Sequence, residues 1–261
     1  MAAQFRSEIT KIATTRTWWL LLAGMVALSG MFTAFMVWAS ANAERSPLQL
    51  DSAGSAVVVY NLSVAVAYVF PLALGVLTVT QEYRSRTIAQ TLLARPHRLA
   101  VFGAKLLAGT CASVLYALVS VGLCAAVAAA MLSGYGGESY LATPEVARAL
   151  AGSVGVLALW GLIGVALGAL VRNQVVAIVG IVLFTQFVEP TARMFAGAVG
   201  SPELVRYLPG GAGDTAAGGT VYTMISGGGD AGQGWGLAVL AAYALVCAAA
   251  GAVRFQRYEM A

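Results

Sequence analysis

The chain has 261 residues, of which 59% are hydrophobic and only 10% are charged. A typical soluble domain is about 45–50% apolar and about 25% charged, so this composition excludes an ordinary cytosolic enzyme and a disordered chain. The natural solvent for such a sequence is a lipid bilayer. Its net charge of +4 does not indicate a nucleic-acid partner, because the basic residues flank apolar segments.

The N-terminal arm, residues 1–17, has the pattern of an amphipathic helix that lies on a membrane surface. Its apolar residues recur every three or four positions, with polar residues on the other side. Two tryptophans follow as interfacial anchors. The arm either only orients the protein and binds anionic lipid or also touches a cytosolic partner, and both roles fit. The residues assigned to this interfacial helix are Phe5, Glu8, Ile9, Lys11 and Ile12.

Six apolar segments predict an all-α integral membrane protein with a single transmembrane domain, residues 1–261. A spanning helix takes about 20 mostly apolar residues, and the fifth segment is short by that measure. The first segment ends in a small-x-small pattern but is longer than the apolar part of a signal peptide, so we interpret it as a retained span. The predicted spans are residues 18–41, 55–80, 106–132, 149–171, 173–188 and 235–253.

The basic residues predict the orientation. Eleven of the 15 lie in the N-terminal arm, the second and fourth connections and the C-terminal tail, whereas the opposite loops hold four basic and eight acidic residues. Lysine and arginine are enriched in cytoplasmic loops. We therefore expect both termini of this multi-pass membrane protein in the cytoplasm.

The second connection, residues 82–98, carries the most information. Thr87 and Gln90 have capping-box spacing, Ile88 and Leu92 give a short apolar face, and Pro96 ends the helix. A loop that only sets the membrane topology needs its arginines, but it does not need a capping box, an apolar face or a proline that ends the helix. The connection therefore predicts a short cytosolic helix with a defined start, a defined end and an apolar face.

The other connections differ from one another. Arg172 to Gln174 predicts a tight turn, which makes spans four and five antiparallel neighbours. Residues 189–234 form a long outer loop, in which Glu189-Pro190 is expected to break the helix. Ten of the 25 residues from 210 to 234 are glycine, so this part is expected to be mobile or irregular.

The predicted span interiors contain no ionisable residue, which disfavours an ion pump or a proton-coupled carrier. Their mild polarity either lines a path for an amphiphilic substrate or joins helices by hydrogen bonds. Pro71 is expected to kink span two, and the GxxxG of Gly164 and Gly168 favours close helix packing. The candidate substrate-path residues are Tyr60, Asn61, Tyr68, Phe184 and Gln186.

No catalytic residues and no metal site are expected. The chain has three cysteines, no two of which form a CxxC pair, and one histidine; a structural zinc site would need about all four of these scattered residues. The chain also lacks a nucleophile–base constellation. It also lacks a P-loop, so the chain itself binds no cofactor.

Together, these features resemble type-2 ATP-binding-cassette (ABC) exporter permeases of bacteria. The arm Phe5-Arg6-Ser7-Glu8-Ile9 is similar to the family's amphipathic N-terminal helix. The loop from Glu82 to Thr87, the stretch Thr91-Leu92-Leu93-Ala94-Arg95-Pro96, and Lys105 at the entry to span three resemble the family's coupling loop. The broken region after span five, with Tyr207-Leu208-Pro209-Gly210, matches its extracellular helices.

The resemblance implies a multi-pass permease subunit of a bacterial plasma membrane that is not an enzyme. It would form half of a dimeric pore, with an identical chain or with a second six-span permease. Separate cytosolic P-loop ATPase subunits would bind ATP and magnesium. The expected cargo is a hydrophobic or amphipathic compound, such as a drug, an antibiotic or a lipid-like molecule. The residues expected to couple to the ATPase are Glu82, Arg84, Arg86, Thr87, Gln90, Leu92, Arg95 and Pro96.

Two other functions remain open. The same cytosolic helix would serve a membrane scaffold or sensor that recruits a partner without transport. A self-contained channel or secondary carrier is the weakest alternative, because the spans lack both midplane charges and an evident inverted repeat.

Overall fold

The computed structural model describes residues 2–42, 52–85, 87, 88, 90, 97–135, 137–220 and 232–257. It is 88% helical, with no strand among these residues, and six helices are long and apolar enough to cross a membrane. The predicted all-α, six-span fold is therefore confirmed. We number the spans in chain order: Thr17–Asn42, Ala53–Arg84, Arg98–Gly134, Pro144–Val171, Gln174–Ala198 and Gln233–Gln256.

Within the described ranges, three shorter helices accompany the spans. The N-terminal helix, Ala2–Thr14, precedes span 1. A 3₁₀ helix, Pro202–Tyr207, follows span 5. It leads into a buried helix, Pro209–Ala216, which we call the loop helix. The placement of the N-terminal helix on the membrane surface stays a prediction.

Span 2 is interrupted twice and consists of helices Ala53–Tyr60, Leu62–Ala67 and Val69–Arg84. The second interruption lies near Pro71, where a kink was predicted. Proline has no N–H to donate to the carbonyl four residues earlier, here that of Ala67, and the helix breaks at the next residue. The break places Tyr68 and its hydroxyl against span 5.

Spans 2 and 4 form the packed centre of the molecule. A Cβ added to Gly164 would lie 2.2 Å from the carbonyl oxygen of Leu72, and one added to Gly75 would lie 2.2 Å from that of Gly161. Glycine is required here because the two backbones touch. In the most apolar stretch of each of these two spans, about 61–65% of the residues are buried, against 11% in span 5. The small residues of span 4 therefore find a partner within the same chain.

Span 5 differs from the prediction in its length. It was predicted to end at residue 188, but the helix continues to Ala198. A π-helical segment, Phe184–Val188, widens one turn, and the N–H of Glu189 donates to the carbonyl of Phe184 five residues earlier. This wider turn accommodates Pro190. Span 3 likewise begins earlier than predicted, at Arg98, which places Lys105 inside a helix.

The glycine-rich stretch also needs a correction. Residues 209–216 form a buried helix rather than irregular chain. A Cβ on Gly211 would lie 2.1 Å from the carbonyl oxygen of Val205, so the glycine allows this helix to dock closely. Residues 221–231 lie outside the described part of the chain.

The turn between spans 4 and 5 is as tight as predicted, with only Arg172 and Asn173 between the helices. Arg172 has φ +59° and closes span 4 in the left-handed conformation. The side chain of Asn173 accepts hydrogen bonds from the backbone N–H groups of Val175 and Val176 and so caps span 5.

Candidate functional site

Four charged residues from three separate segments meet beneath the bundle; we call them the inner cluster. They are Glu8 and Lys11 of the N-terminal helix, Glu82 at the end of span 2 and Lys105 in span 3. Lys105 Nζ lies 2.8 Å from Glu8 Oε2 and 2.6 Å from Glu82 Oε1. Lys11 Nζ lies 2.6 Å from Glu8 Oε1 and 2.7 Å from Glu82 Oε1. The two acids and two bases balance each other.

The inner cluster is buried except at Lys11. Lys105 is fully buried and Glu8 and Glu82 nearly so, whereas the Lys11 side chain is 42% exposed. Partial burial of Lys11 lowers its pKa, but the hydrogen bonds and charges of Glu8 and Glu82 outweigh that effect and raise it. A buried charge persists only when it is paired. The cluster therefore fixes the N-terminal helix to spans 2 and 3.

The beginning of the cytosolic loop is tied to the same place. The N–H of Thr87 donates to the carbonyl of Glu82 at 3.0 Å. The side chain of Ile88 is buried in a cluster that includes Phe102 of span 3 and Phe255 of span 6. The predicted apolar face of the loop therefore packs, at Ile88, against its own bundle.

The predicted coupling residues fall into three groups. Arg84 and Gln90 are exposed and Thr87 is partly exposed, whereas Glu82 points inward to the two lysines. Glu82 therefore reaches a partner only through the inner cluster, as a positioning residue. Arg86, Leu92, Arg95 and Pro96 lie outside the described residues.

A second set of buried charges lies at the other end of the bundle; we call it the outer cluster. Arg193 of span 5 donates to Glu189 at 2.7 Å and to Asp214 of the loop helix at 2.7 Å. Glu189 also accepts the backbone N–H groups of Gly210 and Gly211 at 3.0 and 2.7 Å. It thereby satisfies the N-terminus of the loop helix. Burial raises the pKa of Asp214, and the charge of Arg193 opposes that rise.

Two candidate path residues form hydrogen bonds inside the bundle. Tyr60 is fully buried and donates to the carbonyl of Ser139 at 2.5 Å. The Asn61 amide donates to the carbonyls of Ala217 and Gly219, and its oxygen accepts from Ser153 at 2.7 Å. These hydrogen bonds use the polar atoms of Asn61, so it joins span 2 to span 4 and to the residues that directly follow the loop helix.

The other three path residues lie nearer to an opening. The Tyr68 hydroxyl is 2.5 Å from Thr185 Oγ1 and accepts from Gln186 at 2.8 Å. A cavity of about 40 Å³ is lined by Tyr68, Thr185, Gln186 and Trp160, and it reaches Asp214 of the outer cluster. Phe184 is exposed on span 5. A cavity of this size has room for a few waters.

Neither cluster was predicted as a unit. The span interiors were expected to be free of charge, yet Lys105, Glu189 and Arg193 all lie within the spanning helices. The spacing of Glu8 and Lys11 was visible as an i, i+3 pair. Nothing in the sequence pairs Glu8 with Lys105, which lies 97 residues away.

Comparison with protein families agrees with this architecture. The family model described as ABC-2 family transporter protein matches residues 4–189. This match covers the N-terminal helix, the inner cluster and most of span 5. No curated protein matches the chain. The chain therefore belongs to the ABC-2 family of transporter membrane proteins and is a multi-pass permease subunit of an ABC transporter.

Proposed function

We propose that this permease forms half of the transmembrane unit of an ATP-driven exporter. It moves a hydrophobic or amphipathic compound out of the cell, and a separate cytosolic P-loop ATPase supplies the energy. The second half is an identical chain or a related six-span permease. The family supports a transport permease that works with an ATPase subunit; direction, cargo and pairing belong to the proposal.

The observation that carries the proposal is the inner cluster. It binds the N-terminal helix, the end of span 2 and the start of span 3 into one unit at the point where the cytosolic loop begins. A loop anchored in this way transmits displacement, whereas a loose tether absorbs it. A partner that pushes on the loop would move both spans and the N-terminal helix together.

The packing between spans supports transmission beyond the loop. Span 2 touches span 4 backbone to backbone at Gly75 and Gly164, so neither span moves far without the other. At the opposite end, Tyr68 of span 2 bonds to span 5, and the outer cluster joins span 5 to the loop helix. A displacement that begins at the loop therefore has contacts leading to the far side of the bundle.

The size of the cavity favours a passage outside this subunit. Pockets for drug-sized compounds measure about 300–1,000 Å³, and the cavity beside Tyr68 is about 40 Å³. A compound of that class would pass between two permease halves rather than through one. The exposed part of span 5 from Phe184 onward, which includes Phe187, is available to line that passage.

The test is to purify the permease from its native host in mild detergent, with cross-linking, and to identify what accompanies it. We expect a P-loop ATPase near equal stoichiometry, whose hydrolysis is stimulated when the two are reconstituted. A second six-span protein would indicate a heterodimeric pore. If no ATPase is recovered after cross-linking, the exporter proposal is wrong and a scaffold or sensor takes its place.

A further inference from the structure

A cleft of about 440 Å³ opens where the end of span 2 meets the turn between spans 4 and 5. Its lining includes Tyr83 and Arg84 from span 2 and Arg172, Asn173 and Gln174 from the turn. It is much larger than the cavity at the inner cluster, about 70 Å³, and the one beside Tyr68, about 40 Å³. Of these three spaces, only this one has room for a group the size of a lipid headgroup.

The cleft carries positive charge and hydrogen-bond donors. Two arginines line it, together with two side-chain amides and a tyrosine, and no acidic residue is part of its described lining. Glu82, two residues before Arg84, is occupied by the lysines of the inner cluster. Arginine in such a setting recognises phosphate, because its planar guanidinium offers several donors.

The geometry of Arg172 is fixed before any ligand arrives. Its guanidinium lies over the Tyr83 ring, 5.5 Å from the ring centroid, and Nη2 donates to the carbonyl of Arg254 at 3.0 Å. Arg84 is exposed and takes part in none of the ion pairs of the described chain. One arginine is therefore held in place and the other is available to close over a ligand.

An apolar stripe leaves the cleft along span 5. Val175 lines the cleft, and it is followed along the helix by Val176, Val179 and Leu183. All four side chains are between 47 and 61% exposed. A span face of this kind contacts acyl chains in a bilayer. The arrangement thus places the arginine-lined cleft next to an exposed apolar helix face.

We propose that this cleft binds the headgroup of an anionic phospholipid, with an acyl chain along the apolar stripe of span 5. Basic pockets between transmembrane helices bind anionic headgroups in this manner. The bound lipid would bridge the end of span 2 and the turn between spans 4 and 5. The inference does not depend on the proposed export function, because it concerns the isolated permease.

The experiment is native mass spectrometry of the full-length permease, released from nanodiscs that contain equal amounts of phosphatidylglycerol and phosphatidylcholine. We expect one phosphatidylglycerol to be retained in preference to phosphatidylcholine. A basic residue near an anionic lipid contributes roughly a fivefold change in affinity. Arg84→Gln should therefore reduce the retained phosphatidylglycerol about fivefold, and Arg84→Gln with Arg172→Gln about 25-fold.

Two further variants separate the site from general charge and from misfolding. Arg148→Gln with Arg206→Gln removes the same charge at the other end of the bundle and should leave retention unchanged. Arg172→Lys keeps the charge at the turn and should retain more lipid than Arg172→Gln. Equal retention of both lipids, or equal loss in the Arg148/Arg206 control, would overturn the proposal.

A last arm distinguishes a lipid from a soluble phosphate compound. Excess inorganic phosphate should displace little phosphatidylglycerol, because the acyl chain adds contacts that free phosphate lacks. Complete displacement by phosphate would assign the cleft to a soluble anion, and the lipid proposal would be wrong.

Discussion

The inner and outer clusters each contain two carboxylates, but they differ in how those charges are balanced. Two lysines neutralise the inner cluster, and Lys11 is partly open to water. In the outer cluster a single arginine serves Glu189 and Asp214, which leaves one surplus negative charge when both acids are ionised. The inner cluster is therefore suited to a permanent joint, and the outer one is the more sensitive to protonation.

The two clusters also perform the same structural task at opposite ends. Each fixes a short helix outside the spans onto a spanning helix: the N-terminal helix through Glu8, and the loop helix through Asp214. Such contacts are costly to break from one side, because the remaining charge stays buried. Their separate contributions can be measured with single substitutions and matched controls.

The largest effect is expected from Lys105→Met. The substitution leaves Glu8 and Glu82 buried with only Lys11 to pair them, so the free energy of unfolding should fall by about 3–5 kcal/mol. Lys11→Met also leaves Glu8 and Glu82 with a single lysine, but the lost side chain is 42% exposed, so solvent screens its charge and the loss should be smaller than for Lys105→Met. Thermal denaturation of both variants in detergent provides the comparison; equal losses would show that burial does not govern the inner cluster.

Arg193→Met should have a similar cost at neutral pH but a different pH dependence. It leaves two buried carboxylates without their base. The pKa of Asp214 is already raised by burial, so the folded protein binds this proton more tightly than the unfolded chain does. Stability should then increase as the pH falls from 8 towards the pKa of a free carboxyl, about 4. The unsubstituted protein, in which the charge of Arg193 opposes the rise of the Asp214 pKa, is the control over the same range. A profile for Arg193→Met no steeper than that control would contradict the surplus charge.

The two acids of the outer cluster should respond unequally. Glu189→Gln removes the carboxylate that serves both Arg193 and two backbone N–H groups of the loop helix, and we expect a loss of about 2–3 kcal/mol. Asp214→Asn removes the surplus charge and should cost less than about 1 kcal/mol, since Glu189 still pairs with Arg193. Chemical denaturation of the two variants tests this order, which would be reversed if Asp214 were the principal partner.

The smallest effect concerns the packing between the two ends. Gly164→Ala places a Cβ 2.2 Å from the carbonyl oxygen of Leu72 and should cost about 1–3 kcal/mol through overpacking. Gly180→Ala adds the same methyl group to span 5, where no atom lies within 4 Å of the new Cβ. It should be neutral or slightly stabilising. A Gly164→Ala variant as stable as Gly180→Ala would mean that spans 2 and 4 separate easily.

The fold could be predicted because membrane spans are a property of local composition. Apolar segments of sufficient length were enough to identify six spans, and the turn at Arg172 followed from its brevity. The end of span 5 could not be found in this way. Glu189 and Arg193 lower the apparent hydropathy of that helix, but they are neutralised by contacts that are not visible in the sequence.

The candidate site was only partly predictable for the same reason. Glu82 and Lys105 were identified from a family pattern, but their pairing with Glu8 joins residues that are far apart in the chain. Asn61 was a candidate for the substrate path, with hydrogen bonding between helices as the alternative. Its amide does form hydrogen bonds inside the bundle, but neither local composition nor spacing separates these two roles.

We propose that the inner cluster transmits force from the cytosolic loop to the spans, and the substitution Glu82→Gln tests this role. The permease variant would be reconstituted with its co-purified ATPase, with Glu203→Gln, an exposed acid paired with Arg206, as the matched control. We predict that Glu82→Gln inserts and binds the ATPase but loses at least about tenfold of the stimulated hydrolysis, a barrier change of about 1.4 kcal/mol. Stimulation equal to that of the Glu203→Gln control would mean that the inner cluster does not transmit force to the spans.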